Sequence, residues 1–267
     1  MSLDIDILNC TYKSEKMMKK FLIIFCLFWL MLSSVSANEN PNKVLIIVSN
    51  KIDMGDVDKH EARNDLFEVA PPYHVFKQHG FEVDFVSPKG GKVAFMRTPL
   101  GISSYTIKHE GFYDKTDHTL SPNQVNVKDY WAVFTGGGYG VMFDVASDHA
   151  IQNIIAAVYE AGGIVGVGGH GAASIVNVKL STGQYLVAGK KVAGFPNSTE
   201  TSKPWAKQGT LLPFLIESQL QKNGAIALNK TTLADKHAVV NDQRIVSTMF
   251  LPSAALVAKE MITVKQN

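Results

Sequence analysis

The feature that most constrains the fold is a series of short, continuous apolar runs separated by longer amphipathic segments. Four of these runs are residues 43–49, 82–87, 130–135 and 164–168. Runs of this length, rich in β-branched residues, are typical of strands buried on both faces of a parallel sheet. Their alternation with helical segments predicts an α/β fold, in which helices cover both faces of a mostly parallel sheet.

Amphipathic segments supply the predicted helices. Residues 66–79 place apolar side chains on one stripe, and Gly80 ends the helix. Pro71 and Pro72 lack the N–H groups that a helix interior uses, so we expect the helix to begin near them or to bend there. Asp148 is expected to cap a second long helix. The other predictions are a small polar cap or insertion over 90–128, strands at 191–194 and near 237–247, and helices over about 211–222 and 252–261.

The first 37 residues have the pattern of a secretory signal. Two lysines precede the apolar run 21–32, and small residues follow it up to Ala37. The run is shorter than the about 20 residues that a membrane span needs, which favours a cleaved signal over an anchor. Residues 1–16 do not fit a signal, so translation is predicted to begin at Met17 or Met18. We therefore predict a leader cut after Ala37 and a periplasmic or secreted protein.

Both cysteines, Cys10 and Cys26, lie in this leader. The predicted mature domain, 38–267, therefore has no thiol for a disulfide, a metal site or a nucleophile. The histidines of that domain show no metal-binding spacing, so no metal site is predicted. The chain has 26 Lys+Arg and 24 Asp+Glu, with no basic stripe. Neither a nucleic-acid partner nor a stable membrane span after signal cleavage is expected.

Four stretches of the chain carry recognisable motifs: Glu68–Gly91 with its final SPKGG, Gly137–Asp144 (GGYGVMFD), Gly166–Leu180 (GVGGHGAASIVNVKL), and Lys190–Glu200 (KKVAGFPNSTE) followed by LPFL. Together they resemble the ThiJ/PfpI superfamily, and the match covers almost all of residues 43–258. Within that superfamily they are similar to the branch of stress chaperones and glutathione-independent glyoxalases. The resemblance implies a flavodoxin-like fold shared with class I glutamine amidotransferases, and a site at the carboxyl ends of the strands.

The resemblance implies a catalytic set. In that family a strand ends at a sharp turn carrying a cysteine nucleophile, a histidine follows it, and a glutamate from an early helix reaches the sulfur. Glu68 matches the glutamate, His170 matches the histidine, and Glu200 matches the acid that partners the histidine in the glyoxalase branch. Gly169 stands where the cysteine is expected. Since glycine has no side chain to attack a carbonyl, thiol-dependent catalysis is not expected.

The glycine loop matches the family pattern with one exception. Gly137, Gly138 and Gly140 correspond to the loop whose N–H groups line an oxyanion pocket, and we expect them, with Tyr139, to bind a ligand. Tyr139 stands where the branch usually has histidine. Residues 248–252 (TMFLP) also depart from a more polar family stretch. Both departures affect the predicted pocket.

Three functions remain open from the sequence. The first is a protein with a remnant pocket that binds a small carbonyl compound, a metabolite or a peptide without thiol-dependent catalysis. The second is a glyoxalase-like or hydrolase-like enzyme that uses Glu68 and His170 for acid–base chemistry. The third is a stress-related holding chaperone with an exposed apolar patch. No cofactor is implied, and the resemblance is compatible with a homodimer. Ser174, one turn beyond Gly169, is interpreted as a packing residue rather than a substitute nucleophile.

Overall fold

In this computed structural model the structure describes residues 41–56, 59–96, 101–203, 211–229, 235 and 237–267. The predicted leader lies outside the described residues. Within these ranges no helix is both long and apolar enough to cross a membrane.

The central element is a six-stranded sheet in the order β3-β1-β5-β6-β10-β9. Its neighbours pair in parallel, except that β9 runs antiparallel to β10. Two further pairs, β2 with β4 and β7 with β8, are short and parallel. The strands are β1 Lys43–Ile47, β2 Asn64–Asp65, β3 Glu82–Val86, β4 Phe95–Met96, β5 Tyr130–Thr135, β6 Ile164–Gly168, β7 Lys191–Ala193, β8 Ile226–Leu228, β9 Val240–Asp242 and β10 Ile245–Thr248.

Helices cover both faces of this sheet. Alternate residues of β1 show the two layers. Leu45 and Ile47 join one apolar cluster with the helix over 149–160, whereas Val44 and Ile46 join another with the helices over 66–78 and 254–266. The α/β prediction is confirmed. The helices are α1 Leu66–Gln78, α2 Gly101–His109, α3 Phe112–Thr116, α4 Gly140–Phe143, α5 His149–Glu160, α6 Asn197–Glu200, α7 Ile216–Lys222 and α8 Ala254–Gln266.

The expectation that α1 begins near Pro71 and Pro72 is wrong. The helix begins at Leu66, where the Asp65 side chain accepts a hydrogen bond from the Phe67 N–H at 2.9 Å. Both prolines lie buried inside the helix. The cap at Asp65 and the burial of both rings against the core outweigh the two helical hydrogen bonds that the prolines cannot make.

Two other helices begin or end at residues that differ from the sequence predictions. The helix predicted over 211–222 begins only at Ile216, and the last helix extends to Gln266. The segment 90–128 contains α2, α3 and short 3-10 turns, so it is a small helical cap. The Asp148 cap is confirmed, since its carboxylate accepts from the Ile151 N–H at 2.9 Å.

Candidate functional site

The turn after β6 places Gly169 against Glu68, so that any side chain at this position would point at the Glu68 carboxyl. β6 ends at Gly168 and a 3-10 turn begins at once, with Gly169 at a φ of 50°. This left-handed conformation suits glycine and strains other residues. A Cβ built on Gly169 would lie 2.8 Å from Glu68 Oε2. The strand-to-helix turn expected from the sequence is therefore present, and it faces the predicted glutamate.

Glu68 lies in the first turn of α1, where a glutamate commonly caps the start of the helix, but it makes no capping hydrogen bond here. Asp65 and Glu68 occupy the N-cap and third positions of α1, where a glutamate commonly reaches back to the N-cap N–H. Here the Asp65 N–H donates instead to the Gly137 carbonyl oxygen at 3.0 Å. The Glu68 carboxyl is therefore released from capping and turns toward Gly137 and Gly169.

Glu68 is fully buried, and neither carboxyl oxygen makes a hydrogen bond of normal geometry with any residue that the structure describes. Burial raises its pKa well above the ordinary value, and the negative charge of nearby Asp65 raises it further. The adjacent Gly137 N–H offsets this rise only in part. Such a carboxyl holds a proton to higher pH than an exposed glutamate does.

The glycine loop contacts Glu68 through one residue. A Cβ on Gly137 would lie 2.2 Å from Glu68 Oε1, so only glycine leaves room for the carboxyl there. A Cβ on Gly138 would meet the Arg63 carbonyl oxygen. A Cβ on Gly140 would meet the Ser49 side chain and the Ala62 carbonyl oxygen. Of these predicted ligand-binding glycines, the structure thus places Gly137 against Glu68, and Gly138 and Gly140 against other segments.

His170 is held in a buried polar and aromatic cluster. Its Nε2 lies 2.8 Å from Glu200 Oε2, and the Tyr139 hydroxyl donates to Glu200 Oε1 at 2.8 Å. The imidazole stacks on Phe195 with ring centroids 4.0 Å apart, and the Tyr139 ring lies 4.3 Å away on centroids. His170 and Glu200 are 4% and 3% exposed. The predicted pairing of these two residues is therefore present in the structure.

Sequence reasoning missed Asp65 and Phe195. Burial raises the pKa of Asp65, and the hydrogen bond from the Phe67 N–H offsets part of that rise. The charge of Asp65 in turn raises the pKa of Glu68, so this carboxylate belongs to the electrostatics of the site. The Asp-x-x-Glu spacing of 65–68 was the available signal for a helix start. Nothing in the local sequence identifies Phe195 as the ring that stacks on His170.

Ser174 lies in the interior beyond the turn, as expected of a packing residue. Its hydroxyl is 3.0 Å from Thr135 Oγ1 and 2.8 Å from the Gly171 carbonyl oxygen. Among the described residues, no three His, Cys, Asp or Glu side chains are grouped so as to hold a metal ion.

Comparisons with known proteins bear on the whole chain. No family model matches it. Glutathione-independent glyoxalase HSP31 of Saccharomyces cerevisiae is 29% identical over 170 residues, covering 60% of this chain and 71% of the relative. Glyoxalase 3 of Candida albicans is 26% identical over 216 residues, covering 74% and 87%. Both relatives are thus named as glyoxalases, the first of them as glutathione-independent.

Solved structures agree with the observed fold. Glyoxalase III from Candida albicans superposes with a TM-score of 0.74 at 24% identity, covering 84% of this chain and 97% of the other. A ThiJ/PfpI domain protein from Brachyspira murdochii gives a TM-score of 0.58 at 15% identity, covering 85% and 98%. The chain therefore has the fold of ThiJ/PfpI proteins, and its sequence is similar to those of known glyoxalases.

Proposed function

We propose that the protein is an enzyme that converts small 2-oxoaldehydes into 2-hydroxy acids by acid–base chemistry, without a covalent thiol intermediate. The observation that carries this proposal is the buried Glu68 carboxyl, which faces the turn at Gly169 directly. The names of the relatives support the substrate class, and the raised pKa of Glu68 supports the chemistry.

A thiol route requires a sulfur at the turn, and Gly169 provides none. The substrate itself can replace that route. A 2-oxoaldehyde in water adds one water molecule at its aldehyde carbon to form a hydrate. This hydrate has the same atoms as the 2-hydroxy acid, so the remaining reaction is an isomerisation that needs no external oxidant or reductant.

Glu68 is the proposed proton carrier. Its ionised form removes the proton from C1 of the hydrate, which gives the enolate of that hydrate. A proton then passes from a C1 hydroxyl to the C2 oxygen, and the protonated form of Glu68 returns its proton to C2, which leaves C1 as the carboxylic acid. A carboxyl whose pKa is raised above the ordinary value suits both steps, because proton transfer is most efficient when the pKa lies near the working pH.

His170 is the proposed partner for a substrate oxygen. With Nε2 engaged by Glu200, Nδ1 is the ring nitrogen left to bind that oxygen. Stacking on Phe195 and the Tyr139–Glu200 hydrogen bond restrict rotation of the ring. Because Glu68 and His170 are almost fully buried, a substrate gains access only when this edge of the sheet opens locally.

The test is turnover of methylglyoxal in D₂O, followed by proton NMR. We expect lactate with deuterium at C2, and a fall in kcat of about 10²–10⁴-fold in Glu68→Gln. Glu82→Gln, which changes an exposed glutamate, is the matched control and should retain activity.

Two results would overturn the proposal. Wild-type turnover no faster than buffer would do so, and saturable binding of methylglyoxal without turnover would then support the remnant-pocket alternative. Turnover that survives in Glu68→Gln would remove Glu68 from the mechanism. Export and a chaperone role stay predictions from the sequence.

A further inference from the structure

A second cleft opens at the carboxyl edge of the sheet, among the loops that follow β1, β3 and β5. Its volume is about 380 Å³, within the range typical of small-molecule sites. None of the residues that line it belongs to the Glu68 and His170 site. The lining residues include Asn50, Lys51, Lys89, Phe143, Ser147 and Asp148.

The sheet order places this cleft at a topological switch point. From β1 the chain crosses to β3 on one side of the sheet and then to β5 on the other side. In open α/β sheets such a reversal leaves a crevice outside the carboxyl ends of the strands, and ligands bind there. The loops that line the cleft follow the three strands that meet at this reversal.

Asn50 holds the three loops together. Its N–H donates to Asp144 Oδ2 at 2.9 Å, and its side-chain oxygen accepts from the Lys89 N–H at 2.8 Å. Its side-chain nitrogen donates to the Gly90 carbonyl oxygen at 3.2 Å. The cleft is therefore a fixed framework, in which each polar group of Asn50 anchors a neighbouring loop.

The polar groups available in the cleft favour an anion. The lining carries two carboxylates and two ammonium groups, so its formal charge is balanced. Asp144 accepts from the N–H groups of Asn50 and Val145, and Asp148 accepts from that of Ile151, so both carboxylates already have backbone donors. Lys51 and Lys89 are exposed, and neither forms an ion pair within the part of the chain that the structure describes. The two ammonium groups are therefore the charged groups of the cleft that remain available to a ligand.

We propose that this cleft binds a small organic anion. Its carboxylate or phosphate lies between Lys51 and Lys89, and its apolar or aromatic part lies against Phe143 and Pro88. Two stretches that carry the family resemblance, SPKGG and the end of GGYGVMFD, contribute residues here rather than to the Glu68 site. The inference does not depend on the proposed function.

The test uses phenyl phosphate, benzoate and inorganic phosphate as probes at constant ionic strength, with binding followed by amide chemical shifts. We expect saturable shifts at Asn50, Lys89 and Ser147, with phenyl phosphate bound more tightly than inorganic phosphate. The comparison of phenyl phosphate with benzoate identifies the preferred anion. The variant carrying Lys51→Gln and Lys89→Gln should bind about tenfold more weakly.

Two controls make the result specific. Lys128→Gln with Lys222→Gln removes the same charge from exposed lysines elsewhere and should leave binding unchanged. Glu68→Gln should also bind normally, which separates this site from the proposed reaction. Equal weakening by the control pair would show non-specific attraction and overturn the proposal, as would the absence of saturation or shifts centred on Glu68.

Discussion

Gly169 offers the sharpest test of the site geometry, because Gly169→Ala adds a single methyl group against Glu68. A residue other than glycine at a φ of 50° is strained by about 1–3 kcal/mol. The new methyl group would also lie 2.8 Å from Glu68 Oε2, while Gly137 restricts retreat of that carboxyl. Overpacking of this kind costs about 1–3 kcal/mol.

Together these effects predict a loss of about 2–6 kcal/mol in the free energy of unfolding. For a domain of this size that corresponds to a fall in Tm of about 4–24 °C. Calorimetry or urea unfolding of the purified variant measures it.

A matched glycine separates backbone strain from contact. Gly183 has a φ of 83° and nothing within 4 Å of a built Cβ, so Gly183→Ala reports the strain alone. Gly169→Ala should cost more than Gly183→Ala, and the excess should vanish when Glu68→Ala is added. If the two alanine variants cost the same, or if the excess survives Glu68→Ala, the assigned geometry of the turn is wrong.

Three further predictions concern the same cluster. Gly169→Cys should give a thiol whose pKa lies below that of a free cysteine, because protonated Glu68 can donate to the thiolate; alkylation by iodoacetamide that fades below pH 8 would contradict this. Burial raises the pKa of Glu68 above its unfolded value, so its ionisation destabilises the fold as pH rises above about 4.5. Glu68→Gln should therefore raise Tm at pH 8, with a smaller gain at pH 5, and an equal gain at both values would refute the assignment. Tyr139→Phe removes the hydrogen bond to Glu200 and should cost about 1 kcal/mol of stability and lower kcat more than it changes KM; unchanged kcat would exclude a positioning role.

The sheet was predictable because its strands are fully buried. Continuous apolar runs at 130–135 and 164–168 correspond to β5 and β6 with the same bounds. The start of α1 was not predictable from proline rules, because the Asp65 cap and core packing decide it. Local sequence determines which secondary structure a segment favours, whereas packing in the core decides whether the segment adopts it.

The site was predictable where it follows the turn motif. Glu68, His170 and Glu200 could be named from the sequence, and the structure brings them to one edge of the sheet. Tyr139 looked like a departure that closes the pocket, yet its hydroxyl completes the contacts of Glu200. Phe195 could not have been named, because its stacking on His170 depends on a chain crossing that no local pattern encodes.

The buried carboxyl of Glu68 also has a consequence for how this protein can evolve. A charged group that finds no hydrogen-bond partner among the described residues lowers the stability of the fold whenever it ionises. Selection for stability alone would replace it with glutamine or an apolar residue, whereas selection for proton transfer would retain it. Variants chosen only for heat resistance should therefore accumulate substitutions at Glu68 early, and the order in which heat resistance and turnover change would show which pressure has shaped this position.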